Sequence, residues 1–185
     1  PGEGKTTAAA NLGASLAGRG MRVILLDGNL HQPSIEAMFA AESRRSLADL
    51  LEVISRGPLS PAEVAAGMED AFFRETVSRT SIPTLGVVCA RRSGDSIAAR
   101  LEREHIQPII LRFCRMADLV ICDAPALEGS RDALALAASA DGTLLVVRAK
   151  KTEEHEVAWA RHQLLEAQAS VLGALLVGGS PRCIV

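Results

Sequence analysis

The first seven residues, Pro1-Gly2-Glu3-Gly4-Lys5-Thr6-Thr7, constrain this chain more than any other stretch. They match the second half of a phosphate-binding loop, G-x-x-x-x-G-K-[ST], set directly ahead of an Ala-rich helical stretch. Gly2 and Gly4 allow backbone turns that a Cβ would obstruct, so successive N–H groups can point at phosphate oxygens. Lys5 brings a charge within reach of β- and γ-phosphates, and the Thr6 hydroxyl is placed to ligate Mg²⁺. A helix opening at about Thr6 directs its N-terminal dipole at the same anion. Pro1 through Thr7 are therefore the candidate nucleotide contacts. The plainer alternative is an ordinary Gly-rich turn before a helix, and the G-K-T-T order is more specific than that.

The 185 residues suit a single domain, 1–185, with the leading Gly of the loop and the strand before it expected ahead of Pro1. A further stretch is expected beyond Val185. An apolar content of 48% and a charged content of 23% are globular values that exclude a disordered chain. The net charge of −2 gives no reason to expect a nucleic-acid partner. Cys89, Cys114, Cys122 and Cys183 show no C-x-x-C and no pairing pattern, which reads as reduced thiols in a cytosolic setting. No apolar run approaches the roughly 18 residues that span a bilayer.

Residues 6–19 read as a helix whose small residues let it lie close to a sheet, closed by Gly20. Val23-Ile24-Leu25-Leu26 is an unalternated apolar run, as expected of a parallel strand covered on both faces, and it ends on Asp27. Helix then strand after such a loop begins a right-handed β-α-β unit. Ser46 and Asp49 form a capping box ahead of Leu47, Leu50, Leu51 and Ile54, with Gly57-Pro58 as the stop. Ser60-Pro61 marks another helix start. A strand is expected over 83–90. The 97–116 stretch predicts two helices, or one strongly kinked at Pro108.

Leu119–Cys122 is the next buried strand, ending on Asp123. A helix over 130–140, a strand over 143–147, a helix capped by Thr152 and a strand over 171–177 complete the series. Trp159 is expected to pack that last helix on the sheet. The alternation predicts an α/β fold, a mostly parallel sheet between two helical layers.

Asp27 and Asp123 each stand at the carboxyl end of a strand, where ligands of open parallel sheets collect. One can hold Mg²⁺; the other can hold metal or accept the proton of an attacking hydroxyl. Asp after a strand is also common as a plain turn residue. His31, His105, His155 and His162 have no metal-ligand spacing. Arg44-Arg45, Arg91-Arg92 and Lys150-Lys151 read as surface charge.

Taken in order, P-G-E-G-K-T-T, V-I-L-L-D-G-N-L-H-Q-P (Val23–Pro33) and A-D-L-V-I-C-D-A-P (Ala117–Pro125) resemble the bacterial tyrosine kinases of capsule and exopolysaccharide synthesis. Those kinases lie among the deviant P-loop ATPases that also include the partitioning and division-site ATPases. The likeness continues through Arg131–Ala149 and Val171–Gly179 and is weakest over 40–100. It implies Mg-ATP binding, with Lys5 and Thr6 on phosphates and metal, Asp27 opening a second acidic motif and Asp123 closing the Walker-B strand. It further implies autophosphorylation on tyrosine, a homo-oligomer, and a membrane-spanning polysaccharide co-polymerase as partner at the cytoplasmic face of the plasma membrane.

The sequence departs from that family in three places. Its second motif usually reads D-x-D-L-R-[RK]-P; here Asn29 replaces the second Asp, and His31-Gln32 replace the basic pair. Asn cannot act as a base and is a poorer Mg²⁺ ligand. Val177 stands where related ATPases often carry an Asn that binds adenine. The chain contains no Tyr. Two alternatives follow: a switch ATPase of the partitioning type, or a nucleotide-binding scaffold of polysaccharide export that transfers no phosphate. Pro1, rather than the Gly usual there in partitioning ATPases, favours the polysaccharide branch.

Overall fold

The computed structural model describes residues 2–56, 70–91 and 101–178. At its centre is β1 (Val23–Asp27), buried at every position. It pairs in parallel with β3 (Leu85–Val88) on one side and β4 (Leu119–Asp123) on the other. Alternate side chains serve opposite layers, which is why the run has no polar positions. Ile24 and Leu26 join Val88 and residues of α3 (Leu47–Arg56) and α5 (Arg103–Cys114) in one cluster. Val23 and Leu25 join Leu85, Val87 and α1 (Lys5–Ala17) in a second, on the opposite face.

The buried stripe of α1 is Ala10, Gly13 and Ala17. A Cβ on Gly13 would reach van der Waals contact with Leu85, Ile121 and Val23, so small residues there set how near α1 lies to three strands. The helix closes as expected: Gly20 adopts φ +92°, with Gly20 N–H on the Ala17 carbonyl and Met21 N–H on the Leu16 carbonyl.

A short α2 (Ile35–Phe39) follows β1. Past α4 (Asp70–Thr76), β2 (Val77–Arg79) pairs antiparallel with β3 and forms the edge of the order β2-β3-β1-β4. Phe73 of α4 meets Phe113 of α5 edge to face at 5.3 Å, closing the larger cluster. Beyond β4 come α6 (Arg131–Ser139), β5 (Thr143–Arg148), α7 (Glu154–Glu166) and β6 (Val171–Val177). The parallel pair β5–β6 forms a separate two-stranded sheet among the described residues. Helix α7 packs on it through Leu164, in a small cluster with Ala137 and Ala169.

The expected parallel α/β architecture is present, with local corrections. Of the two forms expected over 97–116, the described residues carry one helix, α5, which runs through the buried Pro108, a residue with no N–H to offer the Glu104 carbonyl. Glu153, not Thr152, caps α7, in a reciprocal box with Glu156. The Thr152 hydroxyl instead accepts the Arg148 N–H. Trp159 is exposed, because the inward face of α7 is carried by Ala160 and Leu164. Helices α2 and α4 and strand β2 were not anticipated; each is too short to show a period. The capping box at Ser46 and Asp49 forms as read, Ser46 N–H donating to Asp49 Oδ2 at 2.7 Å. Pro1, Gly57-Pro58, Ser60-Pro61 and Cys183 lie outside the described residues.

Candidate nucleotide site

The site grows from the turn into α1. Gly2 and Gly4 take φ +84° and +91°, the left-handed conformation that only glycine adopts without strain. Gly4 is the N-cap of α1, its carbonyl accepting Ala8 N–H at 2.8 Å. No acidic residue occupies the first turn, so the positive end of the helix is not neutralised by its own sequence. Alternating left-handed positions ahead of a helix start form a concave nest of N–H groups, the geometry a phosphate fits. Lys5 is ion-paired with Glu3 at 2.6 Å. Burial is the largest influence on Glu3 and works against its charge, but the Lys5 bond, further hydrogen bonds and the Lys5 charge together hold the carboxyl well below the usual range.

The strand ends bring the two carboxylates beside this turn. Asp27 and Asp123 are register partners across β1 and β4, and both are buried. Thr6 Oγ1 donates to Asp123 Oδ2 at 2.6 Å, joining residues 117 positions apart. Burial pushes the Asp123 carboxyl up to about 6; the Thr6 bond and Lys5 oppose this, and the charge of Asp27 adds to it. Burial also raises Asp27, against three backbone donors that favour its charge. These are Asn29 N–H on Oδ1 at 3.1 Å, and Ser34 and Ile35 N–H on Oδ2 at 2.9 and 3.1 Å. Asp27 therefore organises the loop between β1 and α2, while Oδ1 keeps room for another donor.

Gly28 is required at the bend after Asp27: a Cβ there would lie 2.4 Å from Leu136 and 3.0 Å from the Asp123 carbonyl. That carbonyl accepts Gly28 N–H at 2.9 Å, locking the two strand ends together. Asn29 Oδ1 accepts Gln32 N–H at 3.1 Å and closes the turn. His31 lies 3.6 Å from Asp132 at the start of α6. From the other sheet, Val177 comes beside Gly4, and Arg148 donates to the Gly2 carbonyl.

The structure thus gathers Gly2, Glu3, Gly4, Lys5, Thr6, Asp27 and Asp123 in one place. Thr7 is exposed in the first turn of α1. His105, His155 and His162 sit on other elements, the last two exposed on α7 beside Glu153 and Glu166. Arg148 was missed in the sequence, where it reads as the polar end of a strand. A Thr hydroxyl and a carboxylate are hard oxygen donors of the kind Mg²⁺ takes, and the glycine nest suits a phosphate chain; the residues present fit both groups.

No family model matches the chain. In structure it is similar to the kinase domain of the Escherichia coli tyrosine kinase ETK, with TM-score 0.77, 22% identity, and cover of all of this chain and 66% of that one. It is also similar to the septum site-determining protein MinD from Pyrococcus horikoshii, solved with Mg-ADP, with TM-score 0.73, 20% identity, and cover of 97% and 68%. The fold is that of the P-loop NTPases. Within that class the curated relatives in sequence are bacterial tyrosine kinases, as the motifs imply. Tyrosine-protein kinase YwqD of Bacillus subtilis is 28% identical over 178 residues, which span 96% of this chain and 68% of that protein.

Proposed function

We propose that this chain is the ATP-binding domain of a protein-tyrosine autokinase that regulates exopolysaccharide or capsule polymerisation and export. The observation that carries the reading is the Thr6–Asp123 bond, which sets a loop hydroxyl and a strand-end carboxylate where one divalent ion can meet both. In this reading Gly2 to Thr7 cradle the phosphate chain, and Thr6 and Asp123 hold Mg²⁺ through oxygen. Lys5 exchanges Glu3 for a phosphate oxygen when nucleotide enters. An ion held there would supply neutralisation of the phosphoryl charge. Asp27, with acceptor capacity at Oδ1, would take the proton of the attacking tyrosine hydroxyl or help to hold the ion. Positioning and fixed charge account for most of the rate, as in phosphoryl transfer generally.

The acceptor proposed is a tyrosine of a neighbouring subunit, phosphorylated in trans. The partner proposed is a membrane-spanning polysaccharide co-polymerase, met at the inner face of the plasma membrane. No helix among the described residues is long and apolar enough to cross a membrane. A second reading, a nucleotide-binding module that moves no phosphate, is supported by Asn29, whose amide is spent on the turn and carries no charge.

The test incubates the full-length protein with Mg-ATP and maps phosphorylated residues by mass spectrometry, with Lys5→Met alongside. Phosphotyrosine present in the wild type and absent in the variant is the expected result. ATP bound without phosphotyrosine contradicts the kinase and leaves the module; Asn29→Asp then raises turnover if the missing carboxylate is the cause.

A further inference from the structure

The loop is held from a direction that its motif does not specify. Arg148, the last residue of β5, donates from Nη1 to the Gly2 carbonyl at 2.5 Å, across 146 residues of sequence. Its own backbone is fixed twice over. Arg148 N–H is bound by the Thr152 hydroxyl at 3.2 Å, and the next N–H, of Ala149, by the Val177 carbonyl at 2.9 Å. The turn that follows folds back tightly: Lys151 and Thr152 N–H both reach the Arg148 carbonyl, and Lys150 takes φ +62°. This turn brings the Lys151 ammonium to 3.9 Å from where a Cβ on Gly2 would stand.

We propose that Arg148 is a positioning residue of the phosphate loop, acting through the Gly2 carbonyl; the inference rests on reading the loop as a nucleotide site. The Gly2 carbonyl and the Glu3 N–H belong to one planar trans peptide and point in opposite directions. Drawing the carbonyl toward the guanidinium turns the Glu3 N–H away from Arg148 and removes a negative oxygen from the anion's surroundings. Gly2, with φ +84°, has the freedom that lets this peptide rotate, so its orientation needs an external anchor. The charged donor makes the bond stronger than a neutral one, and the guanidinium adds positive potential beside the loop. The β5–β6 sheet thereby takes part in a site whose recognised residues all lie on the turn before α1, on α1 itself, and at the ends of β1 and β4.

The test compares full-length wild type, Arg148→Ala and Arg148→Lys for ATP and ADP affinity, and follows amide exchange in nucleotide-free protein. Arg148→Ala is expected to weaken both nucleotides about tenfold, and Arg148→Lys to recover most of that loss. Exchange within residues 2–7 should quicken severalfold in Arg148→Ala, while β1 and β4 stay protected. Unchanged affinity and exchange overturn the inference and leave the nucleotide site standing. So does exchange that quickens equally in β1 and β4, which marks a general structural role. A wild type that binds no ATP overturns both.

Discussion

The two sheets of this molecule have nearly the same sequence character and very different surroundings. Val23–Leu26 in β1 and Leu144–Val147 in β5 are both unbroken apolar runs ahead of a polar residue. In β1 every position is buried, between α1 on one face and α3 with α5 on the other. In the β5–β6 pair, Leu144 is 52% exposed, Leu172 69% and Leu176 64%. The first sheet is held by packing, and the second, among the described residues, by its ladder and one small cluster. The chemistry follows the same division. Two buried carboxylates end the packed sheet, while an exposed Arg and a Val end the other.

Truncating equivalent leucines tests this contrast most severely. Leu26→Ala, in the packed cluster, is expected to cost about 3 kcal/mol in urea unfolding. Leu172→Ala, exposed on β6, is expected to cost less than about 0.5 kcal/mol. Similar costs would break the distinction between the sheets.

The buried carboxylates predict a pH dependence. Asp123 titrates near 6 when folded, against 3.8 as its ordinary value. The folded state thus holds a proton that the unfolded state has lost. The contribution of Asp123 to stability is full below pH 3.8 and is lost as pH rises through about 6. With a chelator present, Asp123→Asn should flatten this fall and gain on the order of 2–3 kcal/mol over wild type at pH 7 relative to pH 4. Guanidinium unfolding across that range measures it, and parallel pH profiles would show that the burial of Asp123 is not the cause.

Helix caps give the smallest contrast. Ser46→Ala removes a buried cap at α3, and the expected loss is about 1 kcal/mol. Glu153→Ala opens the exposed box at α7, and the expected loss is a few tenths of a kcal/mol. Equal losses in thermal unfolding would show that burial does not decide the value of a cap here.

What could be read in the sequence was local in nature. The loop of residues 2–7 and the carboxylates at Asp27 and Asp123 were legible because a strand end or a helix start places them without reference to distant residues. The parallel architecture followed from the same runs. Strand β2 was not legible, because Val-Ser-Arg shows no period and owes its place to pairing with β3. Thr152 reads as the cap of α7 in the sequence, but the Arg148 N–H, four residues back, takes its hydroxyl and leaves the cap to Glu153. Arg148 itself could not be found, since the carbonyl it holds lies at the other end of the chain. The wider role of Asp27 was partly hidden for a related reason: Ser34 and Ile35, which bind it, look like ordinary loop residues until α2 forms.

The most direct test of the account is whether the loop and the end of β4 act as one Mg-nucleotide site. Calorimetric titration of full-length protein with ATP, with and without Mg²⁺, on wild type and Asp123→Asn, addresses it. The account predicts that Mg²⁺ tightens ATP binding about tenfold or more in wild type and scarcely at all in Asp123→Asn. The same Mg²⁺ dependence in both proteins would contradict it, because Asp123 would then be a buried partner of Thr6 and nothing more.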